Sequence, residues 1–119
     1  MNFKAKYNGN LYPLASIDFV NKRAFAFVDG NKKLMVSFDD VIKGTGVYDK
    51  NGNEIFEKDV IADDLGYFYE VFYKDGVFMV KEINNENTDG NLYLSDVKED
   101  GIEIVGNLLI NNINEIIGE

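Results

Sequence analysis

Short runs rich in Val, Ile, Phe and Tyr alternate along the 119-residue chain with turn-forming Xaa-Gly pairs. These pairs fall at Asn8-Gly9, Asp29-Gly30, Asn51-Gly52, Asp75-Gly76, Asp89-Gly90 and Asp100-Gly101. Asn and Asp tolerate the positive φ that a tight hairpin turn demands, and Gly meets no penalty there. The pattern predicts an all-β chain of hairpins. Its first third reads as a meander: Phe3 to Tyr7, Ser16 to Val20, a turn at Asn21-Lys22, Arg23 to Val28, and Leu34 to Phe38. In the second of the hairpin strands Ala24 and Ala26 face away from Phe25 and Phe27, because successive strand residues point to opposite faces. Pro13, the sole proline, suits a strand edge or strand start. Asp39 to Ile42 suits a single helical turn capped by the acidic pair.

From Thr45 onward the strands pack more densely. Glu54 to Ile61 leads into Asp63-Asp64-Leu65-Gly66, then Tyr67 to Tyr73, a turn at Asp75-Gly76, and Val77 to Ile83. A polar loop, Asn84 to Asp89, precedes strands at Asn91 to Leu94 and Ile102 to Val105. Five short strands with a wide first turn predict a small SH3-like β-barrel over 45–119, preceded by a β-meander subdomain over 1–44. Gly44-Thr45-Gly46 reads as the hinge between them. The period changes at the end: Ile113, Ile116 and Ile117 share one helical face. Asn112 is the expected N-cap, Glu115 its capping-box partner and Gly118 the stop. So short a helical turn must dock, and its own barrel is the favoured surface.

The strand from Tyr67 to Tyr73 carries aromatics on both faces. Tyr67, Tyr69, Val71 and Tyr73 share one, and Phe68, Glu70, Phe72 and Lys74 the other. One face belongs in a core, which leaves the other for an interface, for ordinary packing or, least favoured at a net charge of −9, for stacking single-stranded nucleic acid. Tyr67, Tyr69 and Tyr73, with Ile113, Ile116 and Ile117, are therefore the candidate interface residues.

Composition narrows the chemistry. The chain has no Cys and no His, so thiolate and imidazole catalysis, disulfides and Cys or His metal sites are excluded. A net charge of −9 disfavours direct binding to nucleic acid or to an anionic membrane. Lys4 and Lys6 precede Tyr7-Asn8-Gly9 rather than an apolar stretch, so a secretory leader is not expected. No apolar run approaches the ~20 residues of a membrane-spanning helix. These features predict a soluble, cytoplasmic protein.

Three local patterns bear on chemistry. Asp49, Asn51 and Asn53 match positions 1, 3 and 5 of an EF-hand loop, but Glu54 and Val60 stand where Gly and a bidentate Glu are needed. The pairs Asp39-Asp40, Asp63-Asp64 and Glu99-Asp100 could share a metal or a proton, yet neighbours in extended chain diverge, so surface solvation is the better reading. Gly44-Thr45-Gly46 lacks the Gly-Lys-Ser/Thr ending of a phosphate loop. No catalytic, cofactor-binding or metal-ligating residue is assigned, and no cofactor is expected.

Thr45 to Ile61, TGVYDKNGNEIFEKDVI, resembles the signature of the YopX family of phage and prophage proteins. The likeness lies in a Thr-Gly pair, Asp-Lys-Asn-Gly, a Glu-Ile-aromatic-Glu step, and an Asp before two apolar residues. Glu103 to Asn107, EIVGN, is similar to the family's closing strand. The resemblance runs from about Thr45 to Glu119. The first 44 residues match loosely, through the FKAKY start and the SIDF strand. Where the family usually has Gly, this chain has Lys58. The resemblance implies a mostly β fold and a phage or prophage origin, and it implies no activity. Physically, the same motif positions can all be structural. The expected function is a non-enzymatic accessory protein that binds a host or phage protein or assembles with itself. The alternative is an acidic mimic of nucleic acid that inhibits a host enzyme or defence system, and a carboxylate-based metal hydrolase ranks third.

Overall fold

Two hairpins show how local sequence sets the architecture. Asn8-Gly9 joins β1 (Phe3–Tyr7) to β2 (Asn10–Asp18), with φ of 48° and 79° at the two turn residues. Asp75-Gly76 joins β8 (Phe68–Lys74) to β9 (Val77–Glu82), with φ of 53° and 82°. Both are the φ-positive pairs that match the right-handed twist of the flanking strands. The computed structural model describes residues 2–30, 32–83, 92–97 and 101–118. The predicted loop at Asn84 to Asp89, the turns at Asp89-Gly90 and Asp100-Gly101 and the Glu99-Asp100 pair lie wholly or partly outside those residues.

The remaining elements are β3 (Arg23–Val28), β4 (Lys32–Val36), β5 (Val41–Tyr48), β6 (Glu54–Phe56), β7 (Asp59–Ala62), β10 (Leu92–Tyr93), β11 (Glu103–Asn107) and a closing helix α1 (Ile113–Ile117). Short 3₁₀ turns cover Phe38–Asp40 and Leu94–Asp96. The strands form two antiparallel sheets, ordered β4-β3-β2-β1-β5-β6 and β10-β9-β8-β7-β11. The all-β class therefore holds. The second sheet is an open ladder, and the described strands close no barrel.

The first sheet is lined by small residues. Ala5, Ala24 and Ala26 are fully buried, with Val28 and Val36 beside them. They sit in register across four strands: Ala26 faces Leu14 and Leu34, and Ala24 faces Ile17 and Val36. With so little volume on the concave face, the sheet curls until β1 meets β4 across two intervening strands. Pro13 lies inside β2 rather than at its start. Its partner is Lys4 on β1, and the ladder to β3 begins only at Leu14, so the missing N–H interrupts no ladder there.

The second core joins Ile61, Val71 and Val80 from the second sheet to Ile55, Leu94 and Ile102. Ile55 comes from β6 and the neighbouring Val47 from β5, both strands of the first sheet. Residue 44 thus falls within β5, which is paired to the first sheet and contributes a side chain to the second core. Gly44-Thr45-Gly46 is not a free hinge. Gly44 pairs with Phe56 and donates to the Asn2 carbonyl at 2.6 Å, Gly46 donates to Glu54 Oε2 at 3.1 Å, and the ladder shifts register before Tyr48. A bulged strand carries the chain across.

Candidate functional site

The polar residues of the two resembled segments converge on one another. Asp49 directly follows β5, with its carboxylate turned inward. Oδ1 accepts from the backbone N–H groups of Asn51 and Asn53 at 3.0 and 2.9 Å, and Oδ2 accepts from Ile104 N–H of β11 at 3.1 Å. Alongside, Lys50 N–H donates to the Ile102 carbonyl at 2.9 Å. The residue at the head of the EF-hand-like pattern is therefore a backbone anchor. Burial pushes its pKa up, but the three N–H groups and the Lys50 charge together hold it below the usual carboxylate range.

Asp59 and Asn107 complete the clasp. Both are buried, and Asn107 Nδ2 donates to Asp59 Oδ1 at 2.8 Å and to the Glu57 carbonyl at 3.0 Å. Asn107 Oδ1 accepts from Leu109 N–H at 2.8 Å. Phe56 N–H donates to Asp59 Oδ2 at 2.7 Å. Burial pushes the Asp59 carboxyl up to about 6, against the two hydrogen bonds and the nearby Lys4 charge that favour its ionised form. Between Phe56 and Asp59 the chain turns through Lys58 at φ 67°, a left-handed conformation held by a side chain with a β-carbon. The backbone fixes it from both sides: Lys58 N–H donates to the Val71 carbonyl, and its own carbonyl accepts from Leu108 N–H, each at 2.8 Å. Lys58 thus adopts a positive φ despite its β-carbon, and does so under strain.

Two more carboxylates fasten this region to the first sheet. Glu57 Oε1 accepts from Lys43 N–H at 2.8 Å, and Glu54 accepts from Asn2 Nδ2 at 2.6 Å. Next to the clasp a groove of about 740 Å³ opens between the sheets, lined by Lys4, Leu11, Pro13, Phe56, Asp59 and Asn107 among others. Lys4 Nζ stands 4.4 Å from the Phe56 ring centroid. Asp59 reaches this groove with both oxygens already accepting from protein N–H groups. Sequence reading missed the Asp59–Asn107 pair. Its only signal was a polar residue set against an apolar run in each resembled segment.

The predicted interface residues separate. Tyr67 and Tyr73 are exposed near the two ends of the β8 stretch. Tyr69 packs on the second core, and its hydroxyl donates to Asp63 Oδ2 at 3.0 Å. Burial, then that hydrogen bond and charge, pushes the Tyr69 pKa up to about 12. Tyr73 stacks edge-on with Phe78, and Lys43 Nζ lies 3.9 Å from its ring centroid. Ile113, Ile116 and Ile117 are half-buried on α1. Ile116 packs on Gly106 of β11 so closely that a β-carbon there would lie 2.6 Å from Ile116 Cγ1, so the helix docks on its own chain. Asn112 caps it, accepting from Asn114 N–H at 2.9 Å rather than from Glu115, and Gly118 ends it at φ 78°.

Among the described residues no helix is long and apolar enough to cross a membrane. No curated protein matches the chain closely enough to serve as a relative. The sequence profile described as YopX protein matches residues 4–112. That span takes in the curled first sheet as well as the clasp, so the likeness extends well beyond the stretch from Thr45 onward. The chain belongs to the YopX family.

Proposed function

We propose that this protein is a non-enzymatic phage or prophage accessory protein that works by binding a protein partner or a second copy of itself inside the bacterial host. One observation carries the reading. The polar residues of the family segments are bonded to backbone groups, while large apolar side chains stand in solvent on well-anchored turns. Asp18 accepts from Val20 and Asn21 N–H, and the turn it anchors leaves Val20 90% exposed and Phe19 61% exposed, the latter edge-on to Phe3 and Phe38. Asp63 anchors a second turn that leaves Leu65 82% exposed. Rigid apolar tips suit docking, because little entropy is lost when they are covered. Tagged protein passed through lysate of infected host cells, eluted with rising salt and read by mass spectrometry, is the test. Retention of a specific protein, or of untagged copies, is expected. A monomer that retains neither would reject the reading.

A second reading, mimicry of nucleic acid, draws support from where the charges lie. Residues 1–44 hold seven cationic and four acidic side chains, net +3, and residues 45–119 hold five and 17, net −12. In the same experiment this reading expects a basic nucleic-acid enzyme released at moderate salt.

A further inference from the structure

Resting on the self-assembling form of that reading, we propose that copies of this chain associate head to tail, the outer face of the first sheet on one copy receiving the Asp63–Tyr67 turn of the next. The face follows from strand alternation. On β3 the alanines turn inward, so Arg23, Phe25 and Phe27 turn outward, with Phe25 and Phe27 half-buried and Arg23 exposed. In register across β4, Lys33 stands opposite Phe27 and Met35 opposite Phe25. Lys33 Nζ lies 5.7 Å from the Phe27 ring centroid, and Met35 is 63% exposed. An apolar strip results, with Lys33 at one end and Arg23 at the other, where Asp18 of β2 stands in register opposite Arg23, on the half of the chain whose net charge is +3.

The turn supplies the complement. Asp63 Oδ1 accepts from Leu65 N–H at 3.0 Å and Tyr67 N–H at 2.9 Å, and the Asp63 backbone N–H donates to the Tyr67 carbonyl at 3.0 Å. So held, the turn presents Leu65 at 82% and Tyr67 at 51% exposure, beside the exposed carboxylate of Asp64. Leu65 and Tyr67 match the Phe25, Phe27 and Met35 strip, and Asp64 matches Arg23 and Lys33. The turn belongs to the half with net charge −12. A second copy is favoured over nucleic acid as the occupant. A second copy carries the same net charge of −9, but unlike a polyanion it brings the exposed apolar Leu65 and Tyr67 to the strip beside one carboxylate. Because the two surfaces differ, the contact is heterologous and propagates into a ring or a filament.

Two variants of the full chain test this, each checked for an unchanged Tm: a face variant, Arg23→Glu with Lys33→Glu, and a tip variant, Asp64→Lys with Leu65→Ser. Light scattering at low salt is expected to show wild-type mass rising with concentration above 13.5 kDa and returning to it at high salt. Each variant alone is expected to stay at the monomer mass. Mixed together they are expected to form a dimer of twice that mass, since each keeps one intact surface. A wild type that stays monomeric would overturn the proposal, and the lysate experiment would then decide the broader reading by itself. Assembly that both variants retain would overturn these surfaces while leaving self-association standing. Binding of a fluorescent oligo-dT by wild type, lost in the face variant, would overturn the proposal in favour of nucleic acid.

Discussion

Lys58 holds a left-handed backbone at a cost of about 1–2 kcal/mol for an L-residue, and its side chain is exposed. Glycine removes that strain but gives the unfolded chain more freedom, which offsets part of the gain. Lys58→Gly is therefore expected to stabilise the protein by about 0.5–1 kcal/mol, seen as a higher urea midpoint with unchanged slope. A lower midpoint would mean that the Lys58 side chain contributes more than its exposure suggests. Asn107 poses the opposite case. Asn107→Ala leaves the Glu57 carbonyl, the Leu109 N–H and one oxygen of Asp59 without their partner, and an unsatisfied buried polar group costs about 1–3 kcal/mol. The expected loss is at least that of one such group. The same substitution removes a hydrogen bond that favours ionised Asp59, so the carboxyl should titrate above about 6, as followed by carbon NMR of its side chain. A loss of stability with no such rise would detach Asn107 from the carboxyl.

At the scale of elements, α1 has five residues and cannot persist alone, so its seat on Gly106 decides whether it forms. Gly106→Ala pushes a methyl into Ile116, and overpacking of this kind costs about 1–3 kcal/mol. In an Ile116→Ala background the added methyl has room, so the double mutant should be less destabilised than the two single costs added together. Strict additivity in the cycle would show that the helix does not rest there. Hydrogen exchange across 114–118 should accelerate in Gly106→Ala alone. The helix, its Asn112 cap and its Gly118 stop were all legible in the sequence, because caps and helical period are local signals. So were the hairpins at Asn8-Gly9 and Asp75-Gly76. The reach of β2 back through Pro13 was not, since a proline is tolerated mid-strand only when pairing on its N–H side starts later, and register is a property of two strands. The continuity of β5 through Gly44 and Gly46 was hidden for the same reason: their partners, Asn2 just before β1 and Glu54 on β6, lie elsewhere in the chain. The clasp was least legible. Asp59 and Asn107 are 48 positions apart, and nothing in either local pattern names the other.

At the scale of the whole molecule, two buried carboxylates among the described residues shift in opposite directions, and together they shape its stability against pH. Asp59 titrates near 6 when folded against 3.8 as a free side chain. Between those values the folded protein holds a proton that the unfolded chain has released, so stability falls as pH rises from about 4 to about 6. That difference corresponds to about 3 kcal/mol. Asp49 acts in the other direction. Its folded pKa lies below 3.8, so the stability it contributes is present above that value and is lost as pH falls through the folded pKa. The protein should therefore be most stable at about pH 4, where the two windows meet, and urea unfolding at pH 7, 5.5 and 4 should show a midpoint that rises at each step. Relief of self-repulsion in a chain of net charge −9 would also raise stability on mild acidification. Asp59→Asn separates the two causes, since a side chain that cannot titrate removes the slope between pH 4 and 6 whatever the variant's absolute stability. A slope that survives in Asp59→Asn would assign the effect to the acidic surface rather than to the clasp.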